Sequence, residues 1–509
     1  MPKTESYIYD VIVVGGGEAA LAAAIAAREE GANVAIISKG KVGYGGSSVM
    51  ANAVHSAIFS PGDSPEVFFQ DIIKGSRYIT DKKLAKVLAE ECTFRVDELE
   101  QKYKIHVERE MKVSTPGHSY PRRVYVGKGQ GKNITRVLAA YAREIGVEFH
   151  EQSTMIDLIR YEEYVNGIVV ETKGKLQSYY SPAIILATGG FGSLYTSSDN
   201  PRDVSGEGIG IAYRHGASLV DMEFIQFYPY RLCTPANIDV LTKIFAKGAF
   251  LVNETNERFM EKYPRKELET RDILCFEMFK QNQVFLNFSQ VPEDILEQDS
   301  PELYRFYKKG YNGKWEMQPV QHYCMGGIQT DEWGRTNIPG LYACGECAGG
   351  LHGANRLAGG SLSEALVFGS RAGQMAAKEK GGIPNIRESP AFDSPQVYSD
   401  IAKTVEKDII QIVKEIMWTK VGIERSTSSL IGAEKQLEAI LLQLEEMEDI
   451  AAMHIADKVR TAWTVAYAGS IRKESRGAHQ LQNEKEEKKE WEQKIMVQKH
   501  NPPVLLGVE

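Results

Sequence analysis

At 509 residues the chain is too long for a single hydrophobic core, and its 43 % hydrophobic and 25 % charged residues are those of an ordinary globular protein. Its formal net charge of -8, with lysine and arginine spread along the chain, excludes the clustered positive surface that a nucleic-acid partner needs. No apolar run approaches the roughly 18 residues that cross a bilayer, the first ten residues carry no signal segment, and six cysteines suit a reducing compartment. The chain therefore reads as cytoplasmic, with no direct membrane insertion.

In chain order, the run IYDVIVV at 8–14 is short, apolar and β-branched, which predicts a buried parallel strand. Gly15, Gly16 and Gly17 follow, then a small-residue helix EAALAAAIAAREE closed by Gly31, then a second strand NVAIIS. This is a βαβ unit with a glycine-rich first turn. EFHEQSTMIDLI, VNGIVVET and YYSPAIILATGG predict a β-meander that returns to the parallel sheet. Residues 233–328 mix aromatic and charged residues and predict an inserted α+β domain. The strand–glycine-turn pattern returns at GLYACGECAGG, so the first domain is discontinuous, covering 1–232 and 329–390. Beyond 391 the spacing predicts a helical domain to residue 509, and EKEEKKEWEQK at 484–494 reads as a solvated helix face.

Gly15-x-Gly17-x-x-Ala20 follows a strand and opens a helix, the context a dinucleotide fingerprint requires. Gly15 permits the tight turn, Gly17 lets backbone approach a pyrophosphate at the positive helix end, and Ala20 allows close packing. The second strand ends in Ser38-Lys39, without the acidic residue that holds a ribose diol, so specificity for NAD loses support. Ala187-Thr188-Gly189-Gly190 and the Gly345-Glu346 turn complete a long groove lined by glycine, which suits FAD better than a mononucleotide. Cys344-x-x-Cys347 has the spacing of a thiol–disulfide pair, but it reads better as two small side chains packed beside a cofactor.

The stretch ATGGFGSLYTSSDNPRDVSGEGIGIAYRHGASLVDMEFIQFYP resembles the flavoprotein subunits of succinate dehydrogenase and fumarate reductase, and L-aspartate oxidase. GHSYPR, ETRDI, HYCMGG, GLYACGECAGGLHGANRL and ESRGAH carry the same resemblance in the same order. It implies an α/β fold with a discontinuous Rossmann-like FAD-binding domain, an inserted α+β capping domain and a C-terminal helical domain. It implies FAD contacts at Gly15, Gly17, Ser38, Lys39, Gly45, Gly46, Ser47, Ser48, Ala187, Gly189, Gly190, Glu207, Glu346, Ser361 and Leu362. In membrane-bound members a histidine in the serine segment carries the flavin covalently; Ser47 stands there, which implies non-covalent FAD. His322 and Arg356 match the pair that clamps a substrate carboxylate, and Arg271 matches the capping-domain arginine that exchanges a proton with the substrate carbon. Without the resemblance, His322 reads as a structural histidine and Arg271 as an interdomain ion pair.

The sequence also departs from the family. Its QFHPT segment is here Gln226-Phe227-Tyr228-Pro229-Tyr230, so a substrate-binding histidine and threonine become Tyr228 and Tyr230. The threonine–glutamate segment becomes Leu241-Thr242-Lys243-Ile244, which keeps Thr242 in the pocket and loses the acidic proton-relay residue. One end of the pocket should still grip a small carboxylate substrate. The other favours a monocarboxylate with a larger tail, unless Tyr228 donates where the imidazole did and a dicarboxylate is kept. The resulting expectation is an FAD-dependent oxidoreductase of the fumarate reductase and succinate dehydrogenase type. It would transfer hydride at a carbon next to a carboxylate and serve an iron–sulfur electron-transfer subunit. The alternatives are an L-aspartate oxidase-like enzyme working alone and a non-catalytic FAD electron-transfer subunit.

Overall fold

The computed structural model describes residues 6–111, 115–379, 400–447 and 449–508. At its centre is a five-stranded parallel sheet in the order Leu341–Ala343, Ala183–Leu186, Val11–Val14, Val34–Ser38, Glu148–Glu151. All four residues of Val11–Val14 are buried, which is why that strand reads as one apolar run instead of an alternation. The helix Glu18–Glu29 follows and lies against the helix Gly360–Lys378. Their backbones approach closely because alanines on the first helix face glycines on the second: a Cβ at Gly373 would collide with the Ala23 carbonyl. Strands Ser153–Tyr161, Tyr164–Thr172 and Lys175–Tyr180 form the expected antiparallel meander, to which Ser6–Ile8 adds in parallel.

A second five-stranded sheet is antiparallel, in the order Ile238–Asp239, Ile225–Leu232, Glu316–Cys324, Val284–Asn287, Phe250–Asn253. It packs with the helix Arg271–Phe279 around Tyr228, Tyr230, Leu232, Leu274, Met278 and Met317. Its two long strands, Ile225–Leu232 and Glu316–Cys324, pair with each other and run back to the parallel sheet. A three-stranded sheet, Val54–Ser56, Arg123–Val126 and Val107–Arg109, closes the opposite side.

Helices Asp400–Lys420, Thr427–Glu445 and Ile450–Ile471 follow; the break assigned near residue 390 lies outside the described residues. Ser426 opens the second with a reciprocal capping box to Ser429, and Asp449 caps the third. The C-terminal region is not helical throughout. Gln493–Gln498 and Asn501–Gly507 form a hairpin that joins Leu219–Val220. Residues 484–494, expected as a solvated helix face, run as a loop with one 3₁₀ turn at Lys489–Trp491. The reason lies in distant charges. Glu474 accepts the Lys488 amide at 2.6 Å and Arg476 donates to the Lys488 carbonyl at 2.8 Å, fixing this backbone in an open course. Beyond it Ile495 and Val497 alternate into the core, a strand period.

Candidate active site

A cavity of about 360 Å³ runs from the first glycine turn to the contact between the two five-stranded sheets. At Gly15, φ is 137°, and a Cβ there would collide with the Ala187 carbonyl. The first turn thus presses directly on the end of the Ala183–Leu186 strand. Gly17 caps the helix Glu18–Glu29, and the Glu18 amide donates to Ser48 Oγ at 3.1 Å, bringing the serine segment over the helix N-terminus. Lys39 leaves the second strand and pairs with the buried Glu207. Burial alone would raise that carboxyl; Lys39, Lys458 and His454 hold it well below the usual carboxylate range. Gly15, Gly17, Ser38, Lys39, Gly45, Gly46, Ser47, Ser48, Ala187, Gly189, Glu207, Glu346, Ser361 and Leu362 all line the cavity. Gly190 stands behind it, against Glu346 and Cys324. A long cleft with backbone open at a helix N-terminus and a lysine at the strand end fits a dinucleotide such as FAD.

Cys344 and Cys347 are free, buried thiols, and Cys347 donates to the Leu186 carbonyl at 3.1 Å. Burial raises both thiol pKa values, which suits packing and not exchange chemistry.

At the other end of the cavity the fold brings Arg271, His322, Arg356, Tyr228 and Thr242 together. Arg271 starts the helix Arg271–Phe279, Tyr228 and His322 sit on the paired long strands, and Arg356 comes from the loop before Gly360–Lys378. Arg271 Nη1 and Arg356 Nη2 donate to one oxygen, Gln226 Oε1, at 2.9 and 2.8 Å. Gln226 in turn donates to the Arg356 carbonyl at 2.9 Å. Burial, and then Arg271 beside it, push the Arg356 guanidinium down to about 10. Its face lies over the Tyr323 ring at 4.3 Å, and Tyr323 donates to the buried Glu364 at 2.6 Å.

Tyr228 stacks on His322 at 4.8 Å and carries Arg271 over its ring at 5.2 Å, so one aromatic plane spaces the imidazole from the guanidinium. Burial lowers the His322 pKa, against the pull of Asp199, whose carboxylate meets Nδ1 at 2.7 Å. Asn200 holds the same segment by donating to the His322 carbonyl at 2.9 Å, and it accepts from Ser47 Oγ at 3.1 Å. Burial pushes the Glu346 carboxyl up to about 7, and it accepts the Cys324 amide at 3.0 Å.

Tyr230 is turned away from the main cavity. It donates to the Glu267 carbonyl at 3.0 Å and lines a chamber of about 30 Å³ behind Arg271, Arg356 and Thr242. Lys243, in place of the family's acidic residue, pairs with Glu110 at 3.2 Å. Sequence reasoning did not single out Gln226, Asp199 or Asn200. Gln226 had a signal, since it stands two residues before Tyr228 on one strand; the other two lie in an irregular segment and had none.

Residues 10–362 match the family described as the FAD binding domain. One subunit of the CoM/CoB fumarate reductase of Methanothermobacter marburgensis is 30 % identical, over 99 % of this chain and 100 % of that protein. The L-aspartate oxidase of Saccharolobus solfataricus is 31 % identical, over 92 % of this chain and 95 % of its own. Among solved structures, Mycobacterium smegmatis Sdh1 in complex with UQ1 superposes with a TM-score of 0.81 at 28 % identity, covering 99 % of this chain and 95 % of that one. An E. coli quinol fumarate reductase chain gives 0.86 at 24 %, covering 99 % and 97 %, a likeness of fold.

Proposed function

The chain belongs to the FAD-binding flavoprotein family of fumarate reductase, succinate dehydrogenase and L-aspartate oxidase and is an FAD-dependent oxidoreductase; from that premise we propose that it adds or removes hydrogen across a carbon–carbon bond next to a carboxylate. The observation that carries this reading is the pair of guanidiniums, Arg271 and Arg356, that share Gln226 Oε1 and face His322 across Tyr228. Gln226 fixes both cations from behind, and their remaining N–H groups face the cavity. A carboxylate there takes charge-assisted hydrogen bonds from Arg356. His322, oriented by Asp199, offers its Nε2 to the same group. FAD, when bound, supplies the two-electron exchange with the substrate carbon. The residues of this chain supply the proton: Arg271, beside a second cation, exchanges one at the adjacent carbon.

The chain's likeness to a protein that is one component of a multi-subunit fumarate reductase supports an iron–sulfur partner that exchanges electrons with it in the cytoplasm. Among the described residues no helix is long and apolar enough to cross a membrane. The likeness to L-aspartate oxidase favours a second reading, an enzyme working alone.

The test is anaerobic turnover of the FAD-loaded chain with fumarate and a reduced viologen dye, beside oxygen uptake with L-aspartate. Arg271→Ala should lower kcat by about two to four orders of magnitude, the scale of a positioned proton donor, with FAD content unchanged. Turnover within a few-fold of the unaltered protein would remove Arg271 from the chemistry, and oxygen uptake on L-aspartate alone would favour the second reading.

A further inference from the structure

Two consecutive arginines, Arg122 and Arg123, start the strand Arg123–Val126, and the pleat sends them to opposite sides. Arg122 is buried and fully matched. Its Nε and Nη2 meet the two Asp63 oxygens at 2.7 and 2.6 Å, and its Nη1 meets Asp71 at 2.5 Å. Arg123 goes the other way and lines both the main cavity and the chamber behind Arg271 and Arg356. It has no carboxylate partner among the described residues. Its one side-chain bond is from Nη1 to the Tyr125 hydroxyl at 3.3 Å, and its Nε is buried without a partner.

The neighbouring charges at this end are already matched. Arg231 meets Asp239 at 2.7 Å and His322 meets Asp199 at 2.7 Å. A half-buried guanidinium with an unpartnered Nε, facing a cavity, is costly unless an anion completes it. We propose that Arg123 is the anchor for a second negative group of the substrate, so that the pocket takes a small dianion gripped by Arg356 at one end and Arg123 at the other. This rests on the carboxylate-directed reading of Arg356 and His322 given above. It restores the charge that the exchange to Tyr228 and Tyr230 removes, from a different strand and a different sheet, and it replaces the expectation of a monocarboxylate with an apolar tail. Planarity matters: a guanidinium takes a carboxylate through two parallel bonds, whereas an ammonium offers a point charge.

Binding tests this independently of turnover. The FAD-loaded protein is titrated with malonate, a dianion, and with propionate, a monoanion of similar size, and the flavin absorption is followed. Arg123→Gln should weaken malonate by roughly 10- to 100-fold, the scale of a lost hydrogen bond to a charged group, and leave propionate within about two-fold. Arg123→Lys should recover part of the malonate affinity. FAD content and melting temperature report whether each variant is folded. Equal weakening of both ligands, an unchanged malonate affinity, or no malonate binding to the unaltered protein each overturns the proposal. Should malonate binding depend on Arg123 while no carboxylate is turned over, the assigned reaction fails and the anchor stands.

Discussion

Replacing Gln226 by leucine isolates the support that two cations share. The side chain is 1 % exposed and close to leucine in volume, so the change leaves no large cavity. What it removes is one oxygen that accepts from Arg271 at 2.9 Å and from Arg356 at 2.8 Å, and one N–H group that donates to the Arg356 carbonyl at 2.9 Å. A hydrogen bond to a charged group contributes about 1.5–3 kcal/mol, so the two arginine bonds together set an upper bound of about 3–6 kcal/mol. The chamber of about 30 Å³ beside the pair has room for a water, which can return part of this. A net loss of about 2–4 kcal/mol in holding the arginines is expected. If they must be reordered before each turnover, kcat/KM falls by roughly 30- to 1000-fold, taking about 1.4 kcal/mol per decade. FAD content should be unchanged, because Gln226 does not line the cleft at the glycine turn. The assay is steady-state reduction of fumarate by a reduced viologen, with FAD released from the same preparation and quantified. A kcat/KM within about three-fold of the unaltered protein would refute the view that one amide oxygen organises both guanidiniums.

Two further outcomes are expected. FAD should leave with the supernatant on acid precipitation, because Ser47 offers no ring nitrogen for attachment and is held by Asn200; colour retained in the pellet would contradict this. Asp221→Asn should stabilise the protein at about pH 8 and leave it nearly unchanged at about pH 4–5. Burial pushes the Asp221 carboxyl up to about 7 and neither oxygen has a hydrogen-bond partner, so the folded chain keeps a proton there that the unfolded chain releases near pH 4. Stability at this site is therefore lost as pH rises from about 4 to about 7 and stays lost above it, on the order of 4 kcal/mol before relaxation. The residue also has φ 61°, a conformation asparagine tolerates. Equal melting shifts at the two pH values would contradict the assignment.

The parallel strands and the first turn were legible in the sequence because each is decided locally: a β-branched run, three glycines, an alanine helix. Arg271, His322 and Arg356 were legible through their motifs, and the cavity does bring them together. Other features depend on partners remote in sequence. Nothing local separates Arg122 from Arg123; Asp63 and Asp71 decide which of them is buried as structure. Tyr228 and Tyr230 looked equivalent, yet a register shift between Tyr228 and Arg231 and the Glu267 carbonyl give them different surroundings. The charged stretch at 484–494 resembled a helix face because its composition is helical; Glu474 and Arg476 hold its backbone open.

The close contact of Ala23 with Gly373, and the pairing of Leu341–Ala343 with Ala183–Leu186, bear on how the protein comes into being. A ribosome makes Val11–Val14 and its alanine helix first, but one sheet neighbour and the helix that covers those alanines are encoded near residues 341–378. Until that stretch has emerged from the exit tunnel, the nascent glycine turn has an apolar face with nothing to cover it. Capture of FAD is thus tied to late synthesis, and a truncated product ending before residue 341 would expose that face to chaperones and proteases instead of retaining the cofactor.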